Sequence, residues 1–228
     1  MPRETLDRKI RHLFDEIIVM NSMVEQATIG AIEALKKQDL KAAHQIINAD
    51  QHINTKRFEL ENDIIVTIAT QQPIMAGDLR MIASILEVVG ELERMGDYAK
   101  GIARIVLLIG EQPLVKPLID IPKMTDITIS MLNRAVSAFV NQDVEVAKRI
   151  PAEDDQVDQL YQDIYHELVE IMISDPTTID RANYLMWVSH NLERMSDRVT
   201  NICERTIYAA TGRLVELSAS DDEMISYT

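Results

Sequence analysis

Two pairs of carboxylates recur in this 228-residue chain with the same spacing and the same neighbours. Glu93 and Asp97 lie in Leu92-Glu93-Arg94-Met95-Gly96-Asp97, and Glu193 and Asp197 in Leu192-Glu193-Arg194-Met195-Ser196-Asp197. A spacing of four on a helix puts both carboxylates on one face, one turn apart. Asp154 and Asp158 repeat that spacing, and at the matching place earlier in the chain stand Asp50 and Asn54. Neighbouring helix axes in a bundle lie about 8–10 Å apart, so a pair on one helix can face a pair on the next. Four oxygen-bearing side chains on two helices would make a hard-ligand site for Mg²⁺, Mn²⁺, Ca²⁺ or iron. A divalent ion there would also neutralise like charges that otherwise repel.

The competing reading is a solvated acidic face. With 37 acidic residues in the chain, about six acid pairs at this spacing arise by chance. Arg94 and Arg194 each stand three residues before an Asp and can pair with it. Against that, both acid pairs occur at the same phase beside the same apolar stripe. The five histidines form no Glu-x-x-His arrangement on two helices, which disfavours a di-iron oxidase site. His190 is expected to be structural or at the surface, and Cys203, flanked by a stripe residue, to be a packed thiol. Gly90, Gly96 and Gly101 fall inside a helical pattern, where they allow close packing and form no phosphate loop. Trp187 is expected in the core or at a bundle contact.

The elements that must position these residues are long helices. Met81, Ile85, Val88, Leu92, Met95, Ala99, Ile102, Val106 and Ile109 are spaced by three and four. So are Leu185, Val188, Leu192, Met195, Val199, Ile202, Thr206 and Ala209. Each set is one buried seam along a helix. The two seams are copies. Upstream, Gln38-Asp39 matches Gln142-Asp143, Ala43 matches Ala147, Ile46 matches Ile150, Asp50 matches Asp154 and Ile53 matches Val157. The offset changes across residues 70–78, which shorten to 174–178, as a connection in a duplicated fold tolerates.

Each half therefore reads as three antiparallel helices. In the first half they run about Thr5 to Lys37, Leu40 to Thr70 and Asp78 to Ile109; in the second they begin near Lys123, Asp143 and Thr177. Asp39 and Asp143 are the expected N-caps of the second helices, and Pro73 and Pro176 their stops. Few glycines, prolines and aromatics agree with helix rather than sheet. The net charge of -14 excludes general nucleic-acid binding and suits cations or basic partner surfaces. One cysteine permits no internal disulfide. The most apolar window, Ile102 to Gly110, is short of a membrane span and is interrupted by Arg104. A soluble, cytoplasmic protein is expected.

The chain resembles the PhoU family over nearly its whole length. The resemblance is carried by the twice-repeated Leu-Glu-Arg-Met-x-Asp, by Asp78-Leu79-Arg80 opening a helix, and by Asn201-Ile202-Cys203-Glu204 after the second motif. It implies an all-α fold of two similar antiparallel three-helix bundles related by internal duplication, spanning 1–114 and 115–217, with an acidic flexible tail at 218–228. It implies a negative regulator of phosphate-starvation signalling, an adaptor and not an enzyme. Such an adaptor connects the ATPase of a phosphate ABC transporter to a sensor histidine kinase. It would act as a homodimer and reach the membrane only through partners. Some family members bind metal clusters through E/D-xxx-D motifs, and the metal here would be Mg, Mn, Zn or Fe. The matching positions are Glu193, Asp197, Asp154, Asp158, Glu93 and Asp97, with Asp50 from an incomplete pair.

The first half departs from the pattern. Asn54 replaces an acid, Gly101 stands where the second half has Asn201, and Arg104 where it has Glu204. The first-half site is expected to be the poorer one. The other function classes are a metal-dependent enzyme or metal store using the same carboxylates, and a helical scaffold without metal.

Overall fold

A computed structural model describes residues 2–217. The tail expected at 218–228 lies outside the described residues. Within them every regular element is helical. The first half contains α1 (Pro2–Lys37), α2 (Leu40–Thr70) and α3 (Ala76–Ile109). The second contains α4 (Asp120–Asn141), α5 (Val144–Ala147), α6 (Asp154–Ser174) and α7 (Ile179–Thr211).

The turn opening the second helical segment is built the same way in both halves. Gln38 and Gln142 adopt left-handed backbone with φ of 50° and 55°. The next residue, Asp39 or Asp143, caps the helix. Asp39 accepts the amide of Ala42 at 2.9 Å, and Asp143 that of Val146 at 3.0 Å. Each cap satisfies a donor that the first helical turn leaves without an intrahelical partner.

After the second cap the halves diverge. The helix expected to run unbroken from Asp143 is instead α5, a 3₁₀ turn at Ile150–Glu153, then α6. Pro151 stands where the first half has Ile47, at the offset that pairs Asp50 with Asp154. Proline cannot donate the helical hydrogen bond, and its ring meets the carbonyl four residues back. Arg134 on α4 holds the break by donating to both oxygens of Glu153, at 2.7 and 2.5 Å.

The two halves share one core. The most extensive helix pair is α3 with α7, which run antiparallel. Glu87 pairs with Arg205 at 2.9 Å and Glu91 with Arg198 at 3.4 Å. Asn201 donates to Glu91 at 3.3 Å, and Gly101 lies beside the Asn191 side chain. Advancing by the repeat that joins Leu92 to Leu192 turns the Glu91–Asn201 contact into the Gly101–Asn191 contact. A pseudo-two-fold axis thus crosses the α3–α7 pair, as a duplicated chain requires. α1 meets α4 in the same interface. Phe14 packs edge-on against Phe139 with centroids 5.8 Å apart, and Asn21 donates to Asn133 at 2.7 Å. Both seams are buried throughout.

Gly96 lets α3 close on α2, since a Cβ there would stand 3.0 Å from Ile53 Cδ1. Gly90 has no such neighbour, and a Cβ at Gly101 would make only ordinary contact with Asn191 at 3.5 Å, so close packing explains Gly96 but not Gly90 or Gly101. Trp187, expected in the core or at a bundle contact, is 56% exposed and lies outside the core. It precedes the seam residue Val188, and one residue of helix rotation carries it off the buried face. Among the described residues no helix is long and apolar enough to cross a membrane.

Candidate metal centre

In the second half, α6 carries Asp154 and Asp158 and α7 carries Glu193 and Asp197. Glu193 follows the seam residue Leu192, so its side chain leaves the core at the α6–α7 groove and is only 19% exposed. Burial drives its carboxyl up from 4.5 to about 7, and the charges of Asp197, Asp158 and Asp154 add to that, while Arg194 opposes it. The four acids expected from sequence are therefore electrostatic neighbours. Glu193 Oε2 is buried and accepts no hydrogen bond. His190 Nδ1 lies 3.3 Å away, an ion pair only when that ring is protonated. Tyr161 on α6 completes the surroundings. Its phenol is pushed up by burial and then by the Glu193 charge, and its ring lies 6.1 Å from that of His190.

The corresponding acids of the first half are arranged differently. Asp50 on α2 is 5% exposed and receives Lys100 Nζ from α3 at 2.6 Å and Asn54 Nδ2 at 2.9 Å. Lys100 also reaches Asp97 at 3.7 Å, and Arg57 on α2 pairs with Glu93 at 3.0 Å. The sequence reading missed both cations. Their signal was present at the repeat offsets, where Arg57 aligns with Tyr161 and Lys100 with Thr200.

Of the three departures in the first half, Asn54 lies in the cluster, whereas the second-half counterparts of Gly101 and Arg104 act elsewhere. Asn201 serves the α3–α7 junction, and Glu204 accepts the amide of Leu217 at 2.8 Å. Arg194 does reach Asp197, at 3.7 Å, but Arg94 turns back to Glu91 at 3.5 Å and not to Asp97. Cys203 is fully buried, and burial lifts its thiol to about 12, as a packed, inert cysteine requires.

Among the described residues no group of three or more His, Cys, Asp or Glu side chains is placed so that it could hold a metal ion. The donor chemistry nonetheless differs between halves. In the second, a buried carboxylate oxygen is orphaned, and so is the buried hydroxyl of Thr200. Oxygen donors with surplus negative charge fit a hard cation. In the first, two protein cations already lie against the acids, and a metal does not fit.

The PhoU domain model matches this chain twice, at residues 17–106 and 121–206. The phosphate-specific transport system accessory protein PhoU homolog of Clostridium acetobutylicum is 36% identical, over 96% of this chain and 100% of that protein. The Escherichia coli accessory protein is 34% identical over 87% of this chain and 82% of its own length. The crystal structure of the phosphate transport system regulatory protein PhoU from Streptococcus pneumoniae superposes with a TM-score of 0.86 at 31% identity. It covers 93% of this chain and 100% of that one. PhoU from Pseudomonas aeruginosa gives 0.85 at 29% identity, over 91% and 99%.

Proposed function

The chain belongs to the PhoU family, and on that premise we propose that it is a regulatory adaptor of phosphate uptake and a negative regulator of phosphate-starvation signalling. The observation that carries this reading is the match of both repeats, in order and nearly end to end, to accessory proteins of phosphate transport. The adaptor links the ATPase of a phosphate ABC transporter to a sensor histidine kinase and acts by binding, not by catalysis. The net charge of -14 suits docking on basic surfaces of such partners. It works in the cytoplasm as a homodimer and meets the membrane through those partners.

Glu193, Asp197, Asp154 and Asp158 would hold a divalent or iron-type cation. A cation held there would supply positive charge beside Glu193, and ligands from both α6 and α7 would tie the two helices together. Glu193 would offer the buried oxygen that accepts no hydrogen bond, and Asp197 lies one turn on along the same face. The experiment is deletion of the gene followed by measurement of phosphate-starvation transcripts in high phosphate. Expression that persists when phosphate is plentiful is the expected result. Normal repression would overturn the proposal.

A further inference from the structure

The two acidic clusters occupy equivalent places in a duplicated fold, yet two of the positions that differ between them change the local charge. On α3 the first repeat has Lys100 where the second has Thr200, at the offset that joins Leu92 to Leu192. On α2 it has Arg57 where α6 has Tyr161, at the offset that joins Asp50 to Asp154. Both substitutions place a permanent cation in the first repeat. Both cations are seated: Lys100 Nζ at 2.6 Å from the buried Asp50 and 3.7 Å from Asp97, Arg57 at 3.0 Å from Glu93. Neither side chain is freely solvated, at 22% and 33% exposure.

We infer that the first repeat carries its cation in the chain itself: the Lys100 ammonium and the Arg57 guanidinium stand in for a metal ion, making this half a metal-independent lock between α2 and α3. Three features support this. An ammonium held between two carboxylates satisfies them as a divalent ion would, and Asn54 completes Asp50 with a neutral donor where a further acid would demand more positive charge. Asp50 is buried against the helix pair, and the Lys100 ammonium is the charged group that reaches it there, at 2.6 Å. The exchange of Lys for Thr and Arg for Tyr occurs on two different helices yet converges on one cluster.

The consequence is a division of labour between halves that look alike in sequence. Cation binding, and whatever response it produces, is confined to the α6–α7 groove, while the α2–α3 groove stays fixed whatever the metal supply. This division rests on the metal reading of the second repeat, but the lock in the first repeat does not.

The test uses the full chain with the second repeat silenced by Glu193→Gln and Asp197→Asn. In that background Lys100→Ala, Lys100→Arg and the unmodified lysine are compared in thermal melts with EDTA and with Mn²⁺. With Lys100 in place, Mn²⁺ should leave the melting temperature unchanged. Lys100→Ala should lower it in EDTA by roughly 5 °C or more, and Mn²⁺ should recover at least half of that loss by taking the ammonium's place. Lys100→Arg should keep the charge and stay indifferent to Mn²⁺. Should the alanine variant not fold in EDTA, its Mn²⁺-dependent folding, followed by circular dichroism, is the supporting readout. An Mn²⁺ shift with Lys100 intact, an alanine variant as stable as its parent, or one that Mn²⁺ does not recover would each overturn the inference. A parallel pair, with Glu193 and Asp197 restored, reports on the second repeat alone. Absence of a Mn²⁺ shift there defeats the metal reading without touching the lock.

Discussion

Replacing Glu193 with glutamine should make the metal-free protein more stable, and only above pH 5. The carboxyl is held near 7 by burial and by Asp197, Asp158 and Asp154, against 4.5 when free of those influences. Between those two values the native state keeps a proton that the unfolded chain has released. Stability therefore falls as pH rises from about 4.5 to 7 and is level above, where both states are ionised. The rise corresponds to roughly 3 kcal/mol at full ionisation, and water reaching a side chain that is 19% exposed trims this to about 2–3 kcal/mol. Glutamine keeps the shape and never ionises. The variant should match its parent at pH 4.5 and exceed it at pH 8 by about 2–3 kcal/mol, which for a chain of this size is about 4–12 °C in melting temperature. Thermal or urea melts in EDTA at pH 4.5, 6, 7 and 8 give the comparison, and the difference between the two curves cancels titrations common to both proteins. A variant equal to or less stable than the parent at pH 8, or a difference that does not grow with pH, would refute the reasoning.

Three further outcomes concern the scaffold. Gly96→Ala should destabilise the fold by about 1–2 kcal/mol, because its Cβ would press on the buried, β-branched Ile53 at 3.0–3.2 Å. Gly90→Ala, with no neighbour in reach, should stabilise it by about 0.5–1 kcal/mol through helix propensity alone; urea melts of both variants check the contrast. Asp143→Ala should cost about 1 kcal/mol by removing the cap on Val146 N, and hydrogen exchange should quicken first around α5.

Much of this architecture was legible in the sequence because its signals are local. Seams spaced by three and four, aspartate caps and terminal prolines each act within one or two turns. The repeat then gave the three-helix plan and the internal symmetry. Pro151 is equally visible, but the apolar positions flanking it still match the unbroken α2 and mask the break. For Trp187 aromatic character points to burial, whereas its phase, one residue before Val188, points off the seam, and phase decides. The acidic positions were readable from spacing, whereas their neutralisation was not. Arg57 reaches Glu93, and Lys100 reaches Asp50, across a helix pair whose two members follow different repeat offsets. Which cation meets which acid depends on how α2 and α3 are rotated against each other, and the α3 seam fixes only one of those rotations. The raised carboxyl of Glu193 is likewise a property of packing, since burial is its first cause and the local Leu-Glu-Arg-Met does not report burial.

The most direct test of the metal reading is a calorimetric titration of Mn²⁺ into the EDTA-stripped protein and two double variants, with bound metal counted after dialysis. Glu193→Gln with Asp197→Asn removes the acids of α7, and Glu93→Gln with Asp97→Asn removes those of α3. Binding in the parent, retained by the α3 variant and abolished in the α7 variant, is the predicted result. A parent that takes up no metal, or an α7 variant that binds as the parent does, would contradict it.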